Sequence, residues 1–237
     1  MISEVIILAG GFGTRLKSVV FDLPKPMADV NGKPFLDYQL FYLKHFGIKK
    51  VILSVGYLHE KISSHYGNNF EGIEIDYAIE NAPLGTGGGI RMALEKCNSK
   101  NVLVLNGDSF FDINLNSFYN QHHTFLSDCS LALRKVENAS RYGTIKQGSN
   151  CVITSFKEKD EETKPGLINA GIYMLNKEVY LQKTNPGKNF SIEKDFFEKK
   201  INELNIFGFP YTGYFIDIGI PEDLEKAQHD FKEFKYR

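Results

Sequence analysis

The residues best suited to chemistry begin directly behind the first apolar run. Residues 5–8 read as a strand, and the chain then passes through Leu8-Ala9 into Gly10-Gly11-Phe12-Gly13-Thr14-Arg15. Glycines at the carboxyl end of a first strand let backbone N–H groups approach a phosphate that a Cβ would hold away. A dinucleotide fingerprint would need glycine where Leu16 stands, and a P-loop would need a glycine-lysine pair where Arg15 and Leu16 stand. Neither loop is present. Farther on, Pro24-Lys25-Pro26-Met27 holds a lysine between two prolines that restrict the backbone. Arg15 and Lys25 can then converge on one anion, the guanidinium as a fork and the ammonium as a point charge. Asp108 follows an apolar run and Asn106-Gly107, which puts its carboxylate at the carboxyl end of the sheet, where α/β proteins bind ligands. Asp217, behind Tyr214-Phe215-Ile216, ends a second strand.

These positions need a scaffold of strands and crossover helices, and the first half of the chain supplies the pattern. Strands are expected at 5–8, 51–55, 73–79 and 102–105, with helices at 35–45, 58–65 and 90–97; Gly47 is placed to end the first helix. After Asp108 the rhythm changes. Runs at 130–136, 142–146, 152–156 and 168–174 have fewer helices between them and suggest a mixed or antiparallel region. Residues 191–200 read as helical, 206–209 and 214–216 as strands, and 222–234 as a charged helix behind Pro221. The apolar residues of 201–214 suit either interior strands or a partner surface. One α/β domain over 1–237 is expected, a three-layer α/β/α, Rossmann-like sandwich with a mixed, mainly parallel sheet. Its nucleotide-binding half is about 1–110, and about 111–237 completes the sheet and covers the site.

Composition excludes several classes. With 28 basic against 29 acidic side chains the net charge is −1, so the global basic footprint of a nucleic-acid binder is missing and any polyanion must be met locally. Cys97, Cys129 and Cys151 are odd in number and far apart, which favours neither a disulfide framework nor a zinc knuckle and points to a reducing cytoplasm. No apolar stretch approaches the roughly 20 residues that span a bilayer, so no membrane partner is expected. The histidines show no HxxxH or HExxH spacing.

The run Leu8-Ala9-Gly10-Gly11-Phe12-Gly13-Thr14-Arg15-Leu16 with Pro24-Lys25-Pro26-Met27 resembles the signature of sugar-1-phosphate nucleotidyltransferases, the nucleoside-diphosphate-sugar pyrophosphorylases. Pro83-Leu84-Gly85-Thr86-Gly87-Gly88, Leu105-Asn106-Gly107-Asp108, Phe156-Lys157-Glu158-Lys159, Asn169-Ala170-Gly171-Ile172-Tyr173 and Phe215-Ile216-Asp217-Ile218-Gly219 follow in the family's order. Within the family, residues 16–27 and the Asn169 segment are most similar to guanylyltransferases acting on D-glycero-α-D-manno-heptose 1-phosphate.

The resemblance implies a GT-A-like fold and attack by a sugar 1-phosphate on the α-phosphorus of GTP, with pyrophosphate leaving. Mannose 1-phosphate with GTP, or a hexose 1-phosphate with UTP, CTP or dTTP, is the neighbouring reading. A non-catalytic regulatory subunit should have lost Arg15, Lys25, Asp108 or Asp217, and all four are present. Catalysis would rest on positioning and charge, with Mg²⁺ held by Asp108 and Asp217. Arg15 would hold the β- and γ-phosphates, Lys25 the transferring and leaving phosphates, and Lys159 the sugar phosphate. Leu8, Ala9, Gly10, Gly11, Gly13, Thr14, Pro83, Gly85 and Thr86 would contact the nucleotide. Glu80 stands where the family reads the base; a carboxylate only accepts hydrogen bonds, and guanine alone offers two adjacent donors on one edge. Gly143, Glu158, Asn169 and Gly171 match hexose-binding positions. Glu193 is a further candidate, although Ser191 with Lys194 and Asp195 equally suits a helix cap. A cytoplasmic enzyme is expected; assembly into a homo-oligomer is left open, and at this length no C-terminal β-helix is expected.

Overall fold

The computed structural model describes residues 2–11, 22–157 and 164–236. In chain order the elements are β1 (Glu4–Leu8), a 3-10 turn at Lys25–Met27, β2 (Asp29–Val30), β3 (Lys33–Pro34), α1 (Phe35–His45), β4 (Lys50–Val55) and α2 (His59–Tyr66). Then come β5 (Asn69–Phe70), β6 (Ile73–Ile79), α3 (Gly85–Leu94), β7 (Asn101–Asn106), β8 (Ser109–Phe111), α4 (Leu115–Thr124), β9 (Cys129–Val136), β10 (Thr144–Gln147), β11 (Ile153–Lys157) and β12 (Gly166–Asn176). The chain closes with α5 (Lys177–Lys183), a π-helix at Ile192–Phe197, α6 (Glu198–Lys200), β13 (Ile206–Tyr211), β14 (Phe215–Asp217) and α7 (Pro221–Asp230).

The main sheet is mixed, in the order β11-β10-β12-β7-β1-β4-β6-β5, with β9 beside β12 and β13 beside β9. Its centre, β7-β1-β4-β6, is parallel. Strand alternation sorts the apolar side chains to two faces. Val5, Ile7, Leu103 and Leu105 face a core shared with α1, α2, α4 and α7, while Ile6, Val102 and Val104 face one shared with α3, α5 and the π-helix. Helices on both faces make the three-layer α/β/α arrangement that the strand–helix rhythm predicts. β13 pairs β9 at the outer end of its branch of the sheet, with Ile206 and Phe209 buried, so the apolar residues of 201–214 include a strand packed into the core.

The predicted bounds of α1 and β6 match the structure, but three helices differ instructively. α3 starts at Gly85, five residues before the expected start at 90. Glycine is a poor helix former, and here tertiary bonds set the first turn: Gly87 N–H donates to Phe190 O and Tyr180 Oη to Gly87 O. α4 lies between Asp108 and residue 130, where the sequence reading expects no element, and Asn114 caps it through Ser117 N–H. α7 ends at Asp230 rather than 234, because the chain then turns to bury aromatic rings. Phe231 stacks near Tyr38, Phe110, Tyr214 and Phe234 at centroid distances of 4.8–5.9 Å. Beyond it, Tyr236 Oη and Lys235 Nζ grip Asp112 at 2.5 and 2.6 Å.

A buried amide supports the turn between β7 and β8. Gln39 on α1 donates from Nε2 to Asn106 O at 2.8 Å and to Ser109 O at 2.7 Å, the carbonyls on either side of Gly107-Asp108. Gln39→Met keeps the volume but leaves both carbonyls without this donor. It should destabilise the fold by about 1–3 kcal/mol, read by urea denaturation; unchanged stability would show that the turn does not depend on Gln39.

Candidate active site

The parallel strands end together at a cavity of about 520 Å³, lined from β1 by Leu8, Gly10 and Gly11, from β4 by Ser54 and Gly56, and from β7 by Asn106, Gly107 and Asp108. Glu80, Pro83, Gly85 and Thr86 close the far side, and Lys25 with Pro26 the near side. Ala9 is buried behind the wall, its N–H bonded to Ser54 O at 2.7 Å. Of the expected nucleotide contacts, then, Leu8, Gly10, Gly11, Glu80, Pro83, Gly85 and Thr86 share one cavity. Gly13, Thr14 and Arg15, and on the sugar side Glu158 and Lys159, lie outside the described residues.

Two aspartates from distant parts of the chain meet at Lys25. Gly107 N–H bonds Leu8 O at 2.9 Å, and a Cβ on Gly107 would lie 2.4 Å from that oxygen, so only glycine lets the chain cross β1 this closely. The crossing delivers Asp108 to the cavity. β8, which comes next, pairs antiparallel with β14 in a register that sets Ser109 opposite Asp217. Ile218 N–H closes the ladder on Asp108 O at 2.9 Å. The bracketing prolines hold Lys25 in its 3-10 turn, where it is buried with Nζ 2.5 Å from Asp108 Oδ2 and 4.0 Å from Asp217 Oδ1.

Among the described residues, Lys25 and the more distant Arg141 are the positive charges that act on Asp217. Burial, and then the charge of Asp108, raises the Asp217 carboxyl above its ordinary range, against the opposing pull of Lys25 and the Gly219 N–H at 2.8 Å. A hard divalent cation suits such a pair: both donors are carboxylate oxygens, and phosphates and water can fill the remaining positions. The residues present therefore fit Mg²⁺. Among the described residues no group of three or more His, Cys, Asp or Glu side chains is placed to hold a metal, so a cation here would take its other ligands from substrate and solvent.

Glu80 does two things. It lines the cavity, and its Oε2 accepts the Leu84 N–H at 2.8 Å, tying the 81–84 loop to the end of β6. Burial raises its carboxyl above the ordinary range, with the Leu84 N–H and the Ser54 hydroxyl opposing.

The sugar-side candidates form a second group. Gly143 O accepts the Asn169 N–H at 3.4 Å, and Asn169 Oδ1 accepts the Gly171 N–H at 3.1 Å. Gly171 has φ +76°, and a Cβ there would press on Ser109 and Asn106. Asn169 Nδ2 donates to Tyr173 Oη at 2.8 Å, and Tyr173 Oη to Glu193 Oε1 at 3.4 Å. Ser191 caps the π-helix through the N–H groups of Glu193 and Lys194, so the cap reading is correct for Ser191 while Glu193 faces the network. Sequence reasoning passed over Tyr173, Asn106 and Gln39. The first two stand within motifs it quoted; Gln39 reads only as a polar residue on a helix otherwise buried.

Known proteins resemble the chain over nearly its full length. Residues 4–233 match the family described as Nucleotidyl transferase. The D-glycero-alpha-D-manno-heptose 1-phosphate guanylyltransferase of Aneurinibacillus thermoaerophilus is 45% identical over 231 residues, 98% of this chain and 99% of that protein. The Campylobacter jejuni protein of the same name is 44% identical, covering 93% of this chain and 96% of its own. HddC from Yersinia pseudotuberculosis, solved in complex with GMP-PN, has a TM-score of 0.85 at 37% identity, over 98% of this chain and 100% of that one. Since the matched span takes in the glycine loop, both aspartates and the terminal helix, the chain belongs to the nucleotidyl transferase family.

Proposed function

We propose that the protein transfers the guanylyl group of GTP to D-glycero-α-D-manno-heptose 1-phosphate, giving the GDP-heptose and pyrophosphate. The near-full-length kinship with heptose 1-phosphate guanylyltransferases carries this reading. The cavity supports it: a carboxylate at one end suits the adjacent donors of guanine, and a lysine between two aspartates at the other suits phosphates. Nucleotide-side candidates come from the first half of the chain and sugar-side candidates from the second, with Asp108 and Asp217 contributing one carboxylate from each. No helix among the described residues is long and apolar enough to cross a membrane, and a reaction that draws on GTP belongs in the cytoplasm.

A phosphate oxygen of the sugar 1-phosphate attacks the α-phosphorus, and the bond to the bridging oxygen of pyrophosphate breaks. Two polyanions must meet for this, so the protein's part is positioning and charge. Lys25 sets a buried positive charge beside the reacting phosphates, and Arg15 is assigned the β- and γ-phosphates. Asp108 and Asp217 would hold Mg²⁺, which when bound neutralises charge on the phosphate oxygens. Gly143, Glu158, Asn169, Gly171 and Glu193 are assigned the sugar, and Lys159 its phosphate.

Pyrophosphate release from the purified protein, with each nucleoside triphosphate against a panel of sugar 1-phosphates, should be fastest for GTP with the heptose. Equal turnover of GTP and UTP would remove the guanine assignment. Chelation should abolish activity and added Mg²⁺ restore it; a chelator-insensitive enzyme would contradict the metal assignment. Asp108→Asn should lower kcat by about a hundredfold or more in a protein whose circular dichroism is unchanged. Glu80→Gln keeps an acceptor for Leu84 N–H but presents a mixed edge to the base, and GTP KM should rise roughly tenfold. Because burial raises the Glu80 carboxyl, it gains its proton at a higher pH than a free glutamate. GTP KM of the wild type should therefore climb on acidification, and the Gln variant should lack that limb.

A further inference from the structure

The loop at the nucleotide end of the cavity is sewn to the segment that carries Glu193. Asn189 Nδ2 donates to Pro83 O at 2.8 Å, Phe190 N–H to Leu84 O at 3.0 Å and Gly87 N–H to Phe190 O at 2.9 Å. Thr86 makes the last two stitches with one side chain. Its hydroxyl accepts the Ile192 N–H at 2.9 Å and donates to Glu193 Oε2 at 2.9 Å.

The carboxylate of Glu193 is consequently held from both ends. Oε2 accepts from Thr86 and, at 2.7 Å, from the Ser191 hydroxyl. Oε1 meets only the long 3.4 Å contact from Tyr173 among the described residues. Tyr173 is fully buried and already accepts from Asn169, so its proton is directed at Glu193. An ionised carboxylate offers about four acceptor positions. The two on Oε2 are filled by the protein, and the open capacity lies on Oε1.

We infer that Thr86, which lines the nucleotide cavity, is a positioning residue for the sugar: its hydroxyl fixes the Glu193 carboxylate so that Oε1 is presented to a hydroxyl of the sugar 1-phosphate. The inference rests on the guanylyltransferase reading. Its consequence is that the loop receiving the nucleotide and the carboxylate receiving the sugar share one hydrogen-bonded joint. Thr86 thus acts through Glu193, and its own hydroxyl proton is already committed within the protein.

The test is a KM split in the full-length protein. Thr86→Val keeps the shape and removes the hydroxyl, leaving Ile192 N–H and Glu193 Oε2 each short of a partner. Sugar 1-phosphate KM should rise about tenfold, as expected for losing a hydrogen bond to a charged group, and by more than any change in GTP KM. Thr86→Ser should restore the sugar KM. A Val variant that folds, by thermal melting, yet keeps the wild-type sugar KM would overturn the inference, as would a rise in GTP KM alone. If Val fails to fold, Ser and Ala decide: the inference requires near-normal sugar KM for Ser and a raised value for Ala, and equal values refute it. Both heptose and mannose 1-phosphate are assayed. A wild type that prefers mannose 1-phosphate overturns the substrate reading, and the Thr86 variants are then judged by their KM for that sugar.

Discussion

Everything around the reaction centre depends on keeping two carboxylates together beside one ammonium in a half-buried place. Asp108 and Asp217 repel each other, and burial makes their charges more costly. Lys25 answers only part of that cost, as the raised Asp217 carboxyl shows. The surroundings are arranged to hold the three groups despite it. Gly107 lets the chain cross β1, Gln39 secures the carbonyls on either side of that crossing, and β8 and β14 lock the two aspartates in register. The same unmet charge that makes the site difficult to build makes it receptive to a cation and, through it, to phosphates.

The parts of this site that could be read from the chain are those whose chemistry is local. A lysine between prolines, and an aspartate behind an apolar strand and a glycine, announce their position within a few residues, and Lys25, Asp108 and Asp217 stand together as that reading requires. α1 was legible because its apolar spacing extends over its whole length. What could not be read depends on residues far away in sequence. α3 opens on glycines and a threonine, and its first turn is held by bonds from Tyr180 and Phe190. Gln39 gains its importance from carbonyls 67 and 70 positions away. Glu80 lines the cavity, but its bond to Leu84 depends on how the loop turns back, which no residue type specifies.

The two substrate regions differ in how they are built. The nucleotide end is mostly backbone and glycine at the ends of parallel strands, an arrangement that offers shape and N–H groups. The region proposed for the sugar is a web of side chains in which Asn169, Tyr173 and Glu193 orient one another. Such a web is informative only when every member is satisfied, and a change at one position reorients the next. A π-helix at Ile192–Phe197 carries the Glu193 side of the web, and the wider turn is a common device for aiming a functional side chain.

The β8–β14 ladder joins residues separated by roughly half the chain, and this has a bearing on biosynthesis. The strands β1, β4 and β6 find all their ladder partners within the first half of the chain and can pair early, whereas β7 also waits for β12. The second carboxylate arrives only with β14, and the aromatic residues that press this ladder against α1 arrive later still. The residues that line the cavity are therefore synthesised before the second carboxylate of the proposed metal pair.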